Sequence, residues 1–329
     1  MEFLFGTALG KPMWMWVLFM SIVAALLIFD LIILQKKEHE VSVKESLYLS
    51  AFYIALALVF GGWVWYALGP SRGEEYFTGF LVEKTLAIDN LFILSLIFTY
   101  FSIPRLYQHR VLFWGILGII ILRALMIGLG TALIHHFTWI LHIFAFALII
   151  TGIRMLWLGE RMPNIKNNPV LKFLRKNFHI ANELHGHNFL VKMPDSKTSQ
   201  SITCGTPLIV ALVLIECADL IFAMESIPAI FMITLDPYIV YTSNIFAILG
   251  LHALYFALAA IVYRFKYLKQ ALACVLIFIG SKTFIAHMLL GKDRFPASVS
   301  LGIIASFILM GIGVSLYKTR HIKEKVGEE

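Results

Sequence analysis

Six carboxylates, Asp30, Glu83, Asp89, Glu216, Asp219 and Glu225, stand inside stretches that are otherwise apolar. An ionised side chain in hydrocarbon costs at least about 2.5 kcal/mol, and like charges held together cost more unless a cation or protons neutralise them. The chemistry these residues offer is therefore the binding of something positive. Five of the six fall in two related segments, "FLVEKTLAIDNLFIL" from Phe80 and "IECADLIFAMESIPAIF" from Ile215. Aligning Glu83 with Asp219 places Asp89 on Glu225 and Asn90 on Ser226, so each segment reads acid, five residues, acid, small polar residue. Oxygen donors from Glu83, Asp89, Asn90, Glu216, Asp219, Glu225, Ser226 and Asn244 suit a hard divalent ion such as Mn²⁺, Mg²⁺ or Ca²⁺. The spans hold no compact set of His and Cys, which disfavours zinc.

Donors so placed need helices that cross a membrane. The chain of 329 residues is 60% hydrophobic and 14% charged, with mean hydropathy +0.83. A soluble core cannot absorb that much apolar side chain, so lipid must solvate it. Nine stretches are long enough for helices across a hydrocarbon core of roughly 30 Å: 13–34, 48–69, 77–101, 111–134, 138–158, 207–231, 242–263, 269–290 and 297–317. Their apolar runs are continuous rather than alternating, which excludes an outer-membrane barrel. With alternating spans, one side carries only Lys11, Arg72, Lys292 and Arg294, and the other carries 19 basic residues. The positive-inside bias puts the N-terminus outside and the C-terminus in the cytoplasm. The formal charge of +7 thus lies beside lipid headgroups and reads as topology, not as a nucleic-acid surface. Cys204, Cys217 and Cys274 have no paired spacing, so no disulfide framework is expected.

The likeness of the two segments continues downstream: "LRALMI" at Leu122 faces "LHALYF" at Leu251, and "TGIRM" at Thr151 faces "IGSKT" at Ile279. The expected plan is an all-α polytopic membrane protein of about nine helices with an inverted repeat of two three-helix units. Its parts are two N-terminal helices in 1–76, a first repeat in 77–158, a cytoplasmic linker in 159–206, a second repeat in 207–290, and a last helix with its tail in 291–329. An odd number of helices per unit makes the second enter from the opposite side, so Asp89 and Asp219 fall near mid-membrane. Glu83 and Glu225 lie about 9 Å farther out at 1.5 Å per residue. Glu83 and Asp89 point about 120° apart on an unbroken helix, so the helix unwinds between them or both flank one wide face. Pro228 removes a backbone donor and crowds the preceding turn beside Glu225 and Ser226.

Charges within the protein supply an alternative to a transported ion. Lys84, Arg123, Arg154, His252 and Lys282 also lie in the spans, and with Asp30 they could balance charge, gate the site, or pair with acids as simple struts. In the linker, Leu171, Leu174 and Phe178 could form the stripe of a short helix on the membrane, with Lys172, Arg175 and Lys176 at the headgroups. The linker residues His179, Glu183, His185 and His187 read as decoration of a wet segment. There is no phosphate-binding loop or ATPase motif, so an ion gradient or the membrane potential would have to drive transport. No HExxH motif is present, and the chain is not expected to be an enzyme.

The segments "FLVEKTLAIDNLFIL", "DLIFAMESIPAIF" and "DPYIVYTSNIFAILGLHALYF" resemble the TerC family of integral membrane proteins, TerC/Alx-like members of the LysE superfamily of cation exporters. The resemblance covers nearly the whole chain, with Glu83, Asp89, Asn90, Glu216, Asp219, Ser226 and Asn244 matching the family pattern. Two positions depart: Glu225 stands where the family usually has Asp, and His252 where it usually has Arg. The resemblance implies a manganese exporter of the inner (cytoplasmic) membrane with no tightly bound cofactor; because a mid-span carboxylate can exchange a proton for a divalent ion, protons are a chemically reasonable counter-ion. It also leaves two alternatives. One is a non-transporting scaffold or metal-delivery partner that meets a membrane or secretion-machinery protein and supplies manganese to exported proteins; the other is a tellurium-resistance component.

Overall fold

The computed structural model describes residues 6–35, 42–157, 165–181, 183–194, 201–258, 268–289 and 296–326. Nine long helices account for most of them. They are α1 (Met13–Gln35), α2 (Val43–Leu68), α3 (Pro70–Tyr100), α4 (Arg105–His136) and α5 (Ile140–Trp157), then, after the short α6 (Pro169–Asn177), α7 (Pro207–Phe231), α8 (Pro237–Leu258), α9 (Leu268–Leu289) and α10 (Ala297–Val326). Eight are long and apolar enough to cross a membrane. The ninth long helix, α3, has 31 residues but carries Arg72, Glu74, Glu75, Glu83, Lys84 and Asp89, which lower its apolarity without shortening it. The chain is an all-α polytopic membrane protein in its main body.

Local chemistry sets the helix ends. Ser42 caps α2 by accepting from the Glu45 amide at 3.2 Å. Gly69, with φ of 94°, makes the sharp turn that lets Pro70 start α3 at once. Pro207 opens α7 in the same first-turn position, where its missing N–H leaves no bond unmade. α3 runs unbroken through Glu83 and Asp89, and α7 runs unbroken through Pro228, so neither helix unwinds between its two acids.

The helices pack as a network with a repeated pattern. α3 lies against α8 and α4 against α7; α3 also meets α7, α4 meets α8, and α5 meets α9. The α5–α9 seam is closest. A Cβ on Gly152 would lie 2.7 Å from the Ala273 carbonyl, and one on Gly280 would lie 2.5 Å from the Ala145 carbonyl. Each glycine also faces an isoleucine, Ile277 opposite Gly152 and Ile149 opposite Gly280. The contact is reciprocal, and these helix pairings suggest an internal repeat.

Outside this core, α2 is tied to α8 by Ser46 Oγ donating to the Ala253 carbonyl and by Ser50 Oγ donating to the Gly250 carbonyl at 3.3 Å. Phe19 and Phe60 pack with Tyr238 and Phe246 to lock α1 and α2 on α8. Large apolar side chains such as Ile121, Leu125, Phe146 and Leu309 remain exposed on the perimeter, where lipid would cover them. Two small hairpins were not foreseen. β1 (Thr7–Ala8) pairs with β2 (Lys11–Pro12), and β3 (Leu190–Pro194) pairs antiparallel with β4 (Ser201–Gly205) inside the linker. The expected stripe of α6 is also only half right: Leu171 is buried and Leu174 packs beside it in the protein core, whereas Phe178 points outward.

Candidate functional site

Arg123 of α4 lies at the centre of the polar cluster, only 1% exposed. Its Nη1 donates to Ser226 Oγ at 2.9 Å and Asn244 Oδ1 at 3.0 Å, and forms an ion pair with Glu83 Oε1 at 2.8 Å. Its Nη2 reaches Asp219 Oδ1 at 3.4 Å. Three helices supply the acceptors: α3 gives Glu83, α8 gives Asn244, and α7 gives Asp219 and Ser226, seven residues apart and so nearly on one face. The guanidinium's planar fork can serve several acceptors at once, which an ammonium would do with less geometric control.

The pairing leaves acceptors over. Glu83 Oε2, Asp219 Oδ2, Asn90 Oδ1 and both Glu216 oxygens are buried with no hydrogen-bond partner, and so are two donors, Arg123 Nε and Asn244 Nδ2. One guanidinium thus faces two carboxylates that each keep a free oxygen. A buried polar atom without a partner costs free energy, more so when charged, unless something binds it. Two clefts reach this group. One is lined by Asn90, Asp219, Phe222, Ile119 and Leu251 among others. The other is lined by Glu83, Asn90, Arg123, Phe222, Glu225 and Ser226 among others. Asn90 and Phe222 line both.

The remaining candidates are dispersed. Glu225 is half-buried at the second cleft, and the opposite charge acting on it is Arg154, an exposed residue of α5. Glu216 stands on α7 one turn before Asp219. Lys84 points away from its neighbour Glu83, with Nζ donating to the Ala247 carbonyl of α8 at 3.2 Å. Lys282 is buried on α9 with Nζ 3.5 Å from Ser300 Oγ. Asp30 lies apart, 3.7 Å from His109 Nε2, in a cleft with Tyr53 and Phe256. Asp89 and His252 sit on α3 and α8, but their side chains lie outside the described residues. Among the described residues, no three His, Cys, Asp or Glu side chains converge as a metal-holding group. The Arg123 guanidinium bridges Glu83 and Asp219.

One polar cluster escaped the sequence reading. Lys11 pairs with Asp236 at 2.9 Å, Arg72 pairs with Glu75 at 2.7 Å, and Thr234 Oγ1 donates to Glu75 at 2.6 Å. It ties the N-terminal hairpin and the start of α3 to the loop between α7 and α8. The signal available for it was the Asp236-Pro237 pair, which marks a helix start.

Comparison with known proteins agrees with this architecture. The family described as "Integral membrane protein TerC family" matches residues 68–323. An uncharacterized membrane protein of Rickettsia felis is 48% identical over 307 residues, 93% of this chain and 99% of its own. A membrane protein of Myxococcus xanthus is 42% identical over 314 residues, 95% of each chain. A protein of Escherichia coli K12 described as a candidate membrane-bound redox modulator, Alx, is 37% identical over 328 residues, 97% of this chain and 99% of its own. No solved structure gives a significant match.

Proposed function

The chain belongs to the TerC family of integral membrane proteins, and from that premise we propose that it is a divalent-cation transporter, most simply a manganese exporter working by proton antiport. The observation that carries the reading is the set of buried oxygens around Arg123 left without a partner, Glu83 Oε2, Asp219 Oδ2 and Asn90 Oδ1, which outnumber the unpartnered donors Arg123 Nε and Asn244 Nδ2. Hard oxygen donors in that number suit Mn²⁺ completed by water or by Asp89. Arg123 holds the acids while the ion is away, and the ion competes with the guanidinium for the same carboxylates when it binds.

The reciprocal α5–α9 seam supports two three-helix units, α3–α5 and α7–α9, related by inversion. Rocking one unit on the other would expose a shared site to each side in turn. With the cytoplasm negative, export of an uncompensated dication is opposed by about 4.6 kcal/mol per 100 mV. Protons entering onto the carboxylates as the metal leaves would offset that cost.

The test is Mn²⁺ flux through purified protein in liposomes, together with manganese content in cells lacking it. Export predicts accumulation and manganese sensitivity in those cells, and gradient-dependent flux in the liposomes. Unchanged cellular manganese with gradient-insensitive flux would reject it. A second reading has its own support: Arg123 already satisfies one oxygen of Glu83 and one of Asp219 while joining three helices. That is how a strut in a non-transporting scaffold or metal-delivery partner would be built, and absent flux with normal folding would favour it.

A further inference from the structure

The end of the bundle that carries the N-terminal hairpin is closed by charge. Asp236, in the loop between α7 and α8, receives Lys11 Nζ at 2.9 Å and lies 3.8 Å from Arg72 Nε. Arg72 Nη1 donates to Glu75 Oε2 at 2.7 Å and to Thr234 Oγ1 at 3.4 Å, and Thr234 Oγ1 donates to the same Glu75 oxygen at 2.6 Å. Lys282, buried on α9, also acts on Glu75 through its charge. Lys11 brings in a separate part of the chain. Its hairpin turns at Leu9 and Gly10, whose φ of 50° and 78° are the positive pair that a tight two-residue turn needs. Trp16 Nε1 donates to the Ala8 carbonyl at 3.0 Å and holds the hairpin on α1. Below the charged layer α3 and α8 touch: a Cβ on Gly79 would lie 2.9 Å from Ser243 Oγ, and Ser243 is fully buried. Glu75, Gly79 and Glu83 follow at four-residue intervals on α3, so the charged layer, this contact and the Arg123 cluster are stacked about a turn apart. The other end of the seam is built differently. The cleft that holds Asn90 and Asp219 continues along Ile93 and Leu94 of α3 and Ala218 and Ile215 of α7, away from the hairpin. Past the end of α3 and at the start of α7, Phe101, Pro207 and Val210 line a further, larger cleft of about 680 Å³.

We propose that the charged layer is a gate and the hairpin its strap: Lys11 locks the α7–α8 loop onto the start of α3, and the layer must part before the Arg123 cluster can open on that side. This rests on the transport reading, in which α3 belongs to one unit and the α7–α8 loop to the other, and adds the element that holds them shut. A gate must part readily, and the layer fits that need. Arg72 is 35% exposed and Lys11 15%, so water takes over each cation as its pair separates. Arg123, 1% exposed, is shut away from water. The hairpin belongs to α1 and precedes both units, so it grips the loop from outside the moving parts.

The experiment reads opening separately from transport. Ser243→Cys is introduced into the full-length protein as a reporter, and maleimide labelling at residue 243 is timed in detergent by peptide mass. Cys204, buried in β4 at the other end, is followed in the same digests, because general unfolding would expose it too. Lys11→Ala is expected to speed labelling at residue 243 about two- to fivefold, the shift in equilibrium that one partly exposed ion pair supports, with Cys204 unchanged. Lys11→Arg keeps the charge and should label at the parental rate. Asp236→Asn keeps an oxygen to cap the Tyr238 amide and should also speed labelling. Adding Lys11→Ala to it should change nothing more, since Lys11 has already lost its partner. Parental labelling in both single variants, multiplied effects in the double variant, Lys11→Arg labelling as fast as Lys11→Ala, or a matching rise at Cys204 would overturn the proposal. Mn²⁺ flux in liposomes is measured beside it. If labelling follows the expected pattern and no Mn²⁺ moves, the strap stands and the transport reading falls. If Mn²⁺ moves and labelling does not respond to Lys11, the strap falls and the transport reading stands.

Discussion

Replacing Glu83 by Gln and Asp219 by Asn should have unequal effects on stability and equal effects on transport. Glu83 lies 2.8 Å from Arg123 Nη1 and is 1% exposed, whereas Asp219 lies 3.4 Å from Nη2 and is 7% exposed. The Glu83 ion pair is the closer and the more deeply buried of the two, so its Coulomb attraction is the stronger. Breaking a buried pair of that quality by removing one partner costs about 3–5 kcal/mol. Glutamine keeps an acceptor of the same shape, which should reduce the loss to about 1.5–3 kcal/mol, the range of a single hydrogen bond to a charge. The longer Asp219 contact should cost about 1 kcal/mol or less when asparagine keeps its oxygen. Each change removes one negative charge and one ionised oxygen from the acceptor set, so each should reduce Mn²⁺ flux by about tenfold or more. Denaturant unfolding in micelles reads the first effect and proteoliposome flux the second. If Asp219→Asn transports at the parental rate, its free oxygen is not an ion ligand. If Asp219→Asn destabilises as much as Glu83→Gln, the bond lengths do not rank the two pairs as argued here.

Three more outcomes are expected. Asp89→Asn should abolish Mn²⁺ flux while leaving folded protein in the membrane; flux equal to the parent's would remove Asp89 from the site. His252→Arg should flatten the pH dependence of flux, since imidazole gains and loses its proton near neutrality and guanidinium does not; parallel pH profiles would remove His252 from the mechanism. Gly280→Leu should destabilise the protein by at least about 1–3 kcal/mol from overpacking, because even a Cβ there would meet the Ala145 carbonyl at 2.5 Å. A neutral effect in chemical denaturation would refute the close approach of α5 and α9.

The long apolar runs made the helices legible, and α7 runs from Pro207 to Phe231, the span read from its sequence. Helix extent was harder where polar residues continue a helix beyond its apolar part. α3 starts at Pro70 rather than near residue 77 because Gly69 and Pro70 form a start signal independent of hydropathy. The β3–β4 hairpin was missed because five-residue strands in a polar linker carry too little periodicity to stand out. In the candidate site, the acid motifs located Glu83, Asp219 and Ser226, and the segment from Asp236 supplied Asn244; the four gather around one residue. That Arg123 is the hub was not legible, since sequence spacing says nothing of which face of α4 meets which neighbour. The seam between α5 and α9 did have a readable trace, in "AFALIITG" from Ala145 and "ACVLIFIG" from Ala273.

That seam has a consequence for how the two halves of the gene can change. Where two side chains fit each other, a substitution in one can be answered by a substitution in the other, and the pair can drift together. Gly152 and Gly280 each face a main-chain carbonyl, of Ala273 and Ala145, and no codon changes a carbonyl. Neither glycine has a partner able to compensate for it, so each must be kept separately, however far the rest of the two segments diverges.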